Sequence, residues 1–221
     1  MINIDKLKSP PSLRYMALQT LKNAILTNVL KPKKIYKIDE LAKSLGISKT
    51  PVREALLDLS TMGFLTFLPR KGIQINSLGE KDIRDIYEFR AAMETSVIQH
   101  ITPTITEESI AHVEIINNDA KKCVKNNDRI EYLKKDREFH LFLAELTENE
   151  YMISALENVR DLVDWMGIKA LLRKERMIEV FVEHDKVIQE LKNRDVKRAT
   201  QMMEEHIAIT LENVLKQLAS N

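Results

Sequence analysis

The sequence has little of several things that whole classes of protein require. Its 221 residues include one cysteine, Cys123, which excludes an internal disulfide and is typical of a reducing cytosol. It has only five glycines and six prolines, so helix breakers are scarce and a mainly helical fold is favoured. No apolar run approaches the ~20 residues that span a bilayer, and the N-terminal stretch lacks the apolar core of a signal peptide. We therefore expect a cytoplasmic protein with no membrane segment.

The net charge of +1 conceals an uneven distribution along the chain. Residues 1–78 hold thirteen lysines and arginines against five acidic residues, a net charge of +8. The remaining residues hold twenty-one basic and twenty-eight acidic side chains, a net charge of −7. A basic module joined to an acidic one is typical of a nucleic-acid-binding domain followed by a domain with another task. The alternative interpretation is chance clustering of solvated lysines.

Residues 40–56 have the pattern of two short helices joined by a tight turn. Apolar residues recur at helical spacing on both sides of Gly46, and glycine readily adopts the positive φ that ends a helix. Asp39 is expected to cap the first helix, and Ser48 or Thr50 the second. This order is the helix-turn-helix signature, whose second helix enters the major groove of DNA. The side chains expected to contact DNA from that helix are Ser48, Lys49, Thr50 and Arg53.

The stretch after the second helix predicts a β-hairpin. Two apolar, β-prone segments, 64–68 and 73–75, flank a short turn that contains proline and glycine. A hairpin that directly follows a helix-turn-helix is a wing. Its tip carries Arg70 and Lys71, which are placed to meet phosphates or the minor groove. We assign residues 10–76 to a winged helix-turn-helix domain.

Helical periodicity continues from residue 80 almost to the end of the chain. Short connections make successive helices antiparallel neighbours, and the weakest of the predicted boundaries is the one near Leu172. The expected fold is therefore mainly α: an N-terminal winged helix-turn-helix, and a C-terminal antiparallel six-helix bundle over residues 80–219. The six helices are predicted at residues 80–101, 107–126, 129–146, 150–172, 173–193 and 195–218.

Three histidines and one aspartate have spacings that suggest a metal site in this bundle. Asp136 and His140 are four residues apart, so they share one face of a helix. His184 and His206 lie at similar distances from the turn near Arg194, and two antiparallel helices would bring them level. One carboxylate and three imidazoles suit Zn²⁺ or another first-row divalent ion. From spacing alone, three hydrogen-bonded histidines without an ion explain the pattern equally well.

Taken together, these segments resemble a known family of regulators. Residues 41–56, followed by Gly63 and the wing turn, resemble the GntR family of bacterial regulators. The second half resembles the FadR-type branch of that family, which carries a helical FCD effector domain. Six rather than seven helices indicate the shorter, VanR-like group. The segments that carry the second resemblance are 89–94, 136–140, Asn149, 183–188, 195–199 and 203–206.

The resemblance implies a homodimer that binds a palindromic operator in double-stranded DNA until a small carboxylate metabolite binds. It also implies a divalent metal, expected to be zinc, with nickel or another first-row ion as alternatives. Family pockets often use an arginine from the first FCD helix to grip the ligand carboxylate, and Arg90 matches that position. The alternative for Arg90 is a surface salt bridge with Glu94. The metal ligands that the resemblance implies are Asp136, His140, His184 and His206.

Lys49 departs from the family pattern, which often has arginine there. Lysine keeps the charge but loses the planar fork that pairs with guanine, so a phosphate contact is as well supported as base reading at this position.

The expected function is a DNA-binding transcriptional repressor governed by a carboxylate bound near the metal. In one alternative the metal itself is the signal, or is purely structural. A metal-dependent hydrolase is a further alternative, but the sequence has no His-Glu-x-x-His arrangement and no nucleophile motif. We therefore expect no enzyme.

Overall fold

The computed structural model of the chain describes residues 11–170 and 174–219, apart from the side chains of residues 167–170. Two compact units divide the chain, and the boundary between them falls between Ser77 and Leu78. This boundary lies in the linker that separates the two predicted domains. The helix boundary predicted near Leu172 lies outside the described residues.

The first unit combines three helices with a small antiparallel sheet. The elements are α1 (Leu13–Leu26), β1 (Ile35–Tyr36), α2 (Ile38–Leu45), α3 (Lys49–Thr61), β2 (Leu65–Leu68) and β3 (Gly72–Ile75). Strand β3 is central in the order β1-β3-β2, so the predicted hairpin gains a third strand from the segment before α2. Helix α1 packs against α3, and Ile25, Leu56 and Phe64 are fully buried in the core beneath them.

The turn between α2 and α3 has the predicted conformation. Gly46 follows α2 with φ 66° and ψ 25°, a left-handed conformation that costs glycine little. Ser48 occupies the N-cap position of α3, although its side chain makes no capping hydrogen bond to the described helix. The predicted role of Gly46 in ending α2 is therefore confirmed, whereas the hydroxyl of Ser48 does not cap α3.

The start of α2 differs from the prediction. The helix begins at Ile38, and its N-cap residue is Lys37 rather than Asp39. Asp39 lies in the first turn instead, where a carboxylate interacts favourably with the helix dipole. It also accepts a hydrogen bond from Nζ of Lys49 over 2.8 Å, which links the starts of α2 and α3.

The wing depends on a close approach of two backbones. Gly72 begins β3 with φ 116°, and a Cβ atom there would lie 2.2 Å from the carbonyl oxygen of Tyr36 on β1. Arg70, at the tip, has φ 61°, and the N–H of Lys71 donates to the carbonyl of Leu68 over 3.1 Å. Only glycine lets β1 and β3 pair this closely.

The second unit contains six helices in the part that the structure describes, which confirms the predicted fold class. Polar residues mark the helix ends. Asn127 ends the second of these helices in the left-handed conformation, and the Asp128 side chain caps the third by accepting from the N–H of Glu131. No helix in the described chain is long and apolar enough to cross a membrane. The helices are α4 (Glu80–Ile101), α5 (Glu107–Asn126), α6 (Arg129–Glu145), α7 (Glu150–Ala170), α8 (Lys174–Lys192) and α9 (Val196–Ala219).

The six helices enclose one main apolar core. Helix α4 packs against α9, α7 and α6, while α8 packs against α9 and α5. Apolar side chains such as Ile98, Val113, Phe139 and Val187 are completely buried there. Several charged side chains are buried in the same interior, and they surround the site described next.

Candidate functional site

The six side chains predicted to contact DNA all lie on the surface of the first unit. The inner face of α3 is apolar, and Val52 and Leu56 are fully buried on it, so the helix presents its polar N-terminal face outward. A helix exposed in this way can enter a major groove. The exposed side chains are Ser48, Lys49, Thr50 and Arg53 on α3, with Arg70 and Lys71 on the wing.

Two surface ion pairs hold α3 in place. Arg14 on α1 makes a bidentate pair with Asp58, with Nε–Oδ2 2.9 Å and Nη2–Oδ1 2.6 Å. At the start of the helix, Lys49 pairs with Asp39, and both of these side chains are about two-thirds exposed. An exposed pair of this kind contributes only about 0–1 kcal/mol, so Lys49 can exchange the carboxylate for a phosphate at little cost.

Three histidines from three helices meet in the interior of the second unit. His140 on α6, His184 on α8 and His206 on α9 are each at most 2% exposed. Their ring centroids lie 4.7–5.2 Å apart, and one nitrogen from each ring lies within 4.8 Å of the other two. Phe139 stacks on His184 with the ring centroids 3.9 Å apart, which fixes the plane of that imidazole.

Carboxylates face the Nδ1 atoms of two of these histidines. Nδ1 of His206 lies 2.8 Å from Oε2 of Glu183. Nδ1 of His140 lies 2.5 Å from Oε2 of Glu94, a close polar contact rather than an aligned hydrogen bond. Nε2 of each ring faces Arg90, whose nitrogens can only donate. Each neutral ring therefore carries its hydrogen on Nδ1 and turns the Nε2 lone pair toward one point.

Arg90 stands at that point. Its side chain is 1% exposed, and Nε donates to Oε1 of Glu94 over 2.6 Å. Nη2 lies 3.0 Å from Nε2 of His140 and 3.3 Å from Nε2 of His206. The ion pair with Glu94 is thus present, but it is buried rather than on the surface, and it ties Arg90 to the histidine cluster.

Asp136 lies beside the histidines but is engaged elsewhere. Its Oδ1 is 3.6 Å from Nε2 of His184, which is too long for a hydrogen bond. Its Oδ2 accepts from Nη2 of Arg160 on α7 in a very short contact. Nε2 of His184 has no hydrogen-bond partner within the described part of the chain. A metal that recruits Asp136 must therefore compete with Arg160 for the carboxylate.

Burial keeps the three imidazoles neutral. It lowers the pKa of His184 to about 3, lowers that of His206, and holds the pKa of His140 well below the usual value. Burial alone would raise the pKa of Asp136, but the surrounding basic groups, Arg160 foremost, together outweigh it and the net pKa is lowered. Neutral imidazoles and an ionised carboxylate are the forms that bind metal ions.

This donor set fits a first-row divalent cation. Three imidazoles with a neighbouring carboxylate are ligands that Zn²⁺ takes, and the same set also suits nickel or cobalt. Glu94 and Glu183 orient two of the rings from outside, as carboxylates do around metal-bound histidines. Nε2 of His184, which is buried and has no hydrogen-bond partner within the described residues, points to the same interpretation.

A cavity opens beside the histidines. Its volume is about 30 Å³, and its lining includes three arginines from three helices and two aspartates. Arg160 is fully buried, and its Nε and Nη1 find no hydrogen-bond partner among the residues described. An excess of buried donors suits a small anion. The charged side chains that line it are Arg90, Asp136, Arg160, Asp164 and Arg176.

Sequence reasoning missed several members of this site. Arg176 pairs with Glu183 over 2.5 Å, and the two lie seven residues apart on α8, next to His184. That two-turn spacing is a signal that could have found them. Arg160 gave no such signal, because its partner Asp136 belongs to a different helix.

Comparison with known proteins gives the family. Residues 85–209 match the FCD domain, and residues 13–75 match the bacterial regulatory proteins of the gntR family. The chain belongs to the GntR family. It is a DNA-binding transcriptional regulator with an FCD domain, and its relatives are regulators rather than enzymes, which confirms the expectation of no enzyme.

Among its relatives, this GntR-family regulator is 28% identical to the HTH-type transcriptional regulator YdhC of Bacillus subtilis over 202 residues, covering 91% of this chain and 90% of YdhC. It is 24% identical to the gluconate operon transcriptional repressor of Bacillus licheniformis, covering 79% and 74% of the two chains. Its fold is that of Escherichia coli McbR/YncC, with a TM-score of 0.80 and 19% identity over 95% of this chain and all of the other.

Proposed function

We propose that this regulator is a repressor whose affinity for DNA is controlled by a small carboxylate bound beside a metal in the second unit. The observation that carries the proposal is the cluster of three buried histidines, one of which, His206, lines a cavity together with three arginines. A carboxylate in that cavity would find both guanidinium donors and a metal centre. Repression is supported by the gluconate operon repressor among the relatives.

On the DNA side, the regulator would act as a homodimer on a palindromic operator, with one α3 helix of each subunit in successive major grooves. Arg53 would contact a base, because its guanidinium can pair bidentately with guanine. Ser48, Lys49 and Thr50 would contact phosphates or bases. Arg70 and Lys71 would contact phosphates or the minor groove from the wing.

On the effector side, zinc is the proposed metal, and a bound divalent ion would supply an electrophilic centre that coordinates the effector carboxylate. Arg90 would hold the carboxylate from the opposite side. Differential affinity of the carboxylate for two arrangements of the dimer is enough to shift the population away from the one that binds DNA. The proposed metal ligands are Asp136, His140, His184 and His206.

A second candidate is that the metal itself is the signal, or is purely structural. One feature supports it: Asp136 and the three histidines together make four protein ligands, and a closed set of four is typical of structural zinc sites. In that case operator binding responds to the metal and is indifferent to carboxylates.

The test measures operator binding by fluorescence anisotropy with metal-stripped and zinc-loaded protein, each with and without a panel of small carboxylates. We expect release only when zinc and one carboxylate are both present. Release by zinc alone would favour the second candidate. His184→Gln should abolish the carboxylate response, whereas His100→Gln, a change at an exposed histidine on α4, should leave it intact. A full carboxylate response in His184→Gln would contradict the proposed centre.

A further inference from the structure

The cavity contains three buried polar groups whose hydrogen-bonding capacity is unused. Oη of Tyr87, Nε and Nη1 of Arg160, and Oδ1 of Asp164 have no partner in the described part of the chain. All three residues line the same cavity, and Tyr87 and Arg160 are at most 1% exposed. Buried polar groups are nearly always satisfied in native proteins, so these groups indicate a ligand that satisfies them.

The three groups need different hydrogen-bond partners. Arg160 offers only donors, and a carboxylate is their natural acceptor. Asp164 offers only an acceptor when ionised. Its Oδ2 accepts from Nη1 of Arg137 over 2.9 Å, and that nitrogen also pairs with Asp161. The second oxygen still needs a donor, and a hydroxyl supplies one without adding another charge to the site. The hydroxyl of Tyr87 can donate to or accept from the same group.

We propose that the cavity binds a carboxylate that carries a hydroxyl group. The ligand carboxylate pairs with the unused donors of Arg160 in addition to the contacts proposed above, and its hydroxyl bonds to Asp164 and Tyr87. The small cavity volume, about 30 Å³, limits the ligand to a compact acid rather than a long chain. The inference rests on the proposed function, since it names the chemical class of the effector.

Hydroxy acids and their deoxy partners provide a direct test. Titration calorimetry of the full-length, zinc-loaded protein would compare glycolate with acetate, and lactate with propionate. Each pair differs by one hydroxyl. A site built to hydrogen-bond a hydroxyl rejects the analogue that lacks it, because its own polar groups are then left unpaired. We expect the hydroxy acid of each pair to bind at least ~10-fold more tightly.

Two tyrosine variants separate ligand recognition from stability. Tyr87→Phe removes a hydroxyl that has no partner in the described structure, so the ligand-free protein should melt at the same temperature or higher. Its preference for the hydroxy acid should fall several-fold. Tyr132→Phe is the matched control: its buried hydroxyl donates to the carbonyl of Met177 over 2.8 Å. That variant should melt lower and keep the wild-type preference.

Charged positions give a second, independent comparison. Asp164→Asn replaces the acceptor and should reduce the hydroxyl preference while acetate binding persists. Arg160→Lys should weaken every carboxylate of the panel. Arg84→Lys is its control, because Arg84 is an exposed arginine on α4 that pairs with Glu80 outside the cavity, and it should leave every carboxylate affinity unchanged. Circular dichroism would confirm that each variant is folded.

The outcomes distinguish this inference from the proposed function. Equal affinity for hydroxy and deoxy acids would overturn the inference and leave the carboxylate-responsive regulator standing. Retention of the full preference in both Tyr87→Phe and Asp164→Asn would overturn it as well. Tighter binding of glycine than of glycolate would do the same, since it would assign a cation to Asp164. Failure of every carboxylate to bind wild-type protein would refute the proposed function too.

Discussion

Each buried guanidinium in the described part of the second unit has a carboxylate partner, because an uncompensated buried charge costs several kcal/mol. Arg90 finds Glu94 four residues away on the same helix, a pairing that the sequence alone suggested. The environment was not predictable, since helical spacing shows which side chains share a face but not whether that face is buried. Arg160 pairs with Asp136 across two helices, so only the tertiary fold reveals it.

Gly72 allows a prediction at the residue scale. Gly72→Ala would place a methyl group 2.2 Å from the carbonyl oxygen of Tyr36, at a φ that alanine disfavours. We expect the free energy of unfolding of the first unit to fall by about 3 kcal/mol, measured by denaturant titration with circular dichroism. Gly46→Ala is the control, because a Cβ there contacts nothing within 4 Å, and it should cost about 1 kcal/mol. Equal losses would show that the β1–β3 contact is unimportant.

Arg53 allows a second prediction at this scale. The side chain is exposed on the outer face of α3, so Arg53→Ala should weaken operator binding by about 1–3 kcal/mol without altering the melting temperature. Anisotropy titration with operator DNA measures the loss. Lys125→Ala, an exposed charge change on α5 of the other unit, serves as the control and should bind DNA normally. Wild-type affinity in Arg53→Ala would remove that residue from the DNA-binding face.

At the scale of whole elements, the sequence predicts helices and their ends well wherever a polar residue or glycine interrupts the periodicity. The predicted helices at 80–101 and 107–126 match α4 and α5, and the other ends of the bundle helices away from residues 171–173 fall within one residue of the prediction. The predicted start of α2 was wrong by two residues, because no side chain caps this helix. Lys37 is extended at the N-cap and offers no capping side chain, so the sequence carries no mark there.

The side chain of Asn149 caps the start of helix α7. Its Oδ1 accepts from the N–H groups of Tyr151 and Met152, over 3.1 and 3.3 Å, at the start of α7. Asn149→Ala should therefore lower the free energy of unfolding by about 1 kcal/mol in thermal or chemical denaturation. Asn126→Ala, at the exposed end of α5, should change it by less than about 0.5 kcal/mol. Similar losses in the two variants would rule out the capping role.

At the scale of the whole molecule, the uneven charge seen in the sequence coincides with the two units of the structure. The basic residues 1–78 span the unit that ends at Ser77, and the acidic remainder forms the helical bundle. Composition could therefore separate a DNA-binding unit from a sensing one. It could not predict the outer carboxylates Glu94 and Glu183 or the cavity, because these depend on how helices α4 and α6–α9 pack together.

This division predicts that salt affects DNA binding and metal binding to different degrees. Operator binding should weaken by about 10³–10⁵-fold between 50 and 200 mM salt if six to ten phosphates are contacted, because bound counterions are released. Metal binding to the buried histidines should hardly change over the same range, because buried charges are little screened. Parallel titrations with operator DNA and zinc would measure both. A flat salt response of DNA binding would contradict a phosphate-contacting basic face.

Arg90 lies between two imidazoles, where it competes with a metal ion for their Nε2 lone pairs. Any ion that takes the Nε2 lone pairs of His140 and His206 must first displace a guanidinium nitrogen 3.0 and 3.3 Å from them. A carboxylate that draws Arg90 away lowers the cost of metal entry, and by thermodynamic reciprocity the metal then tightens the carboxylate by the same factor. Arg90→Gln should therefore bind zinc more tightly than wild type, yet lose the dependence of zinc affinity on carboxylate. Calorimetry in the presence and absence of the acid would show whether the two ligands are coupled through this one side chain.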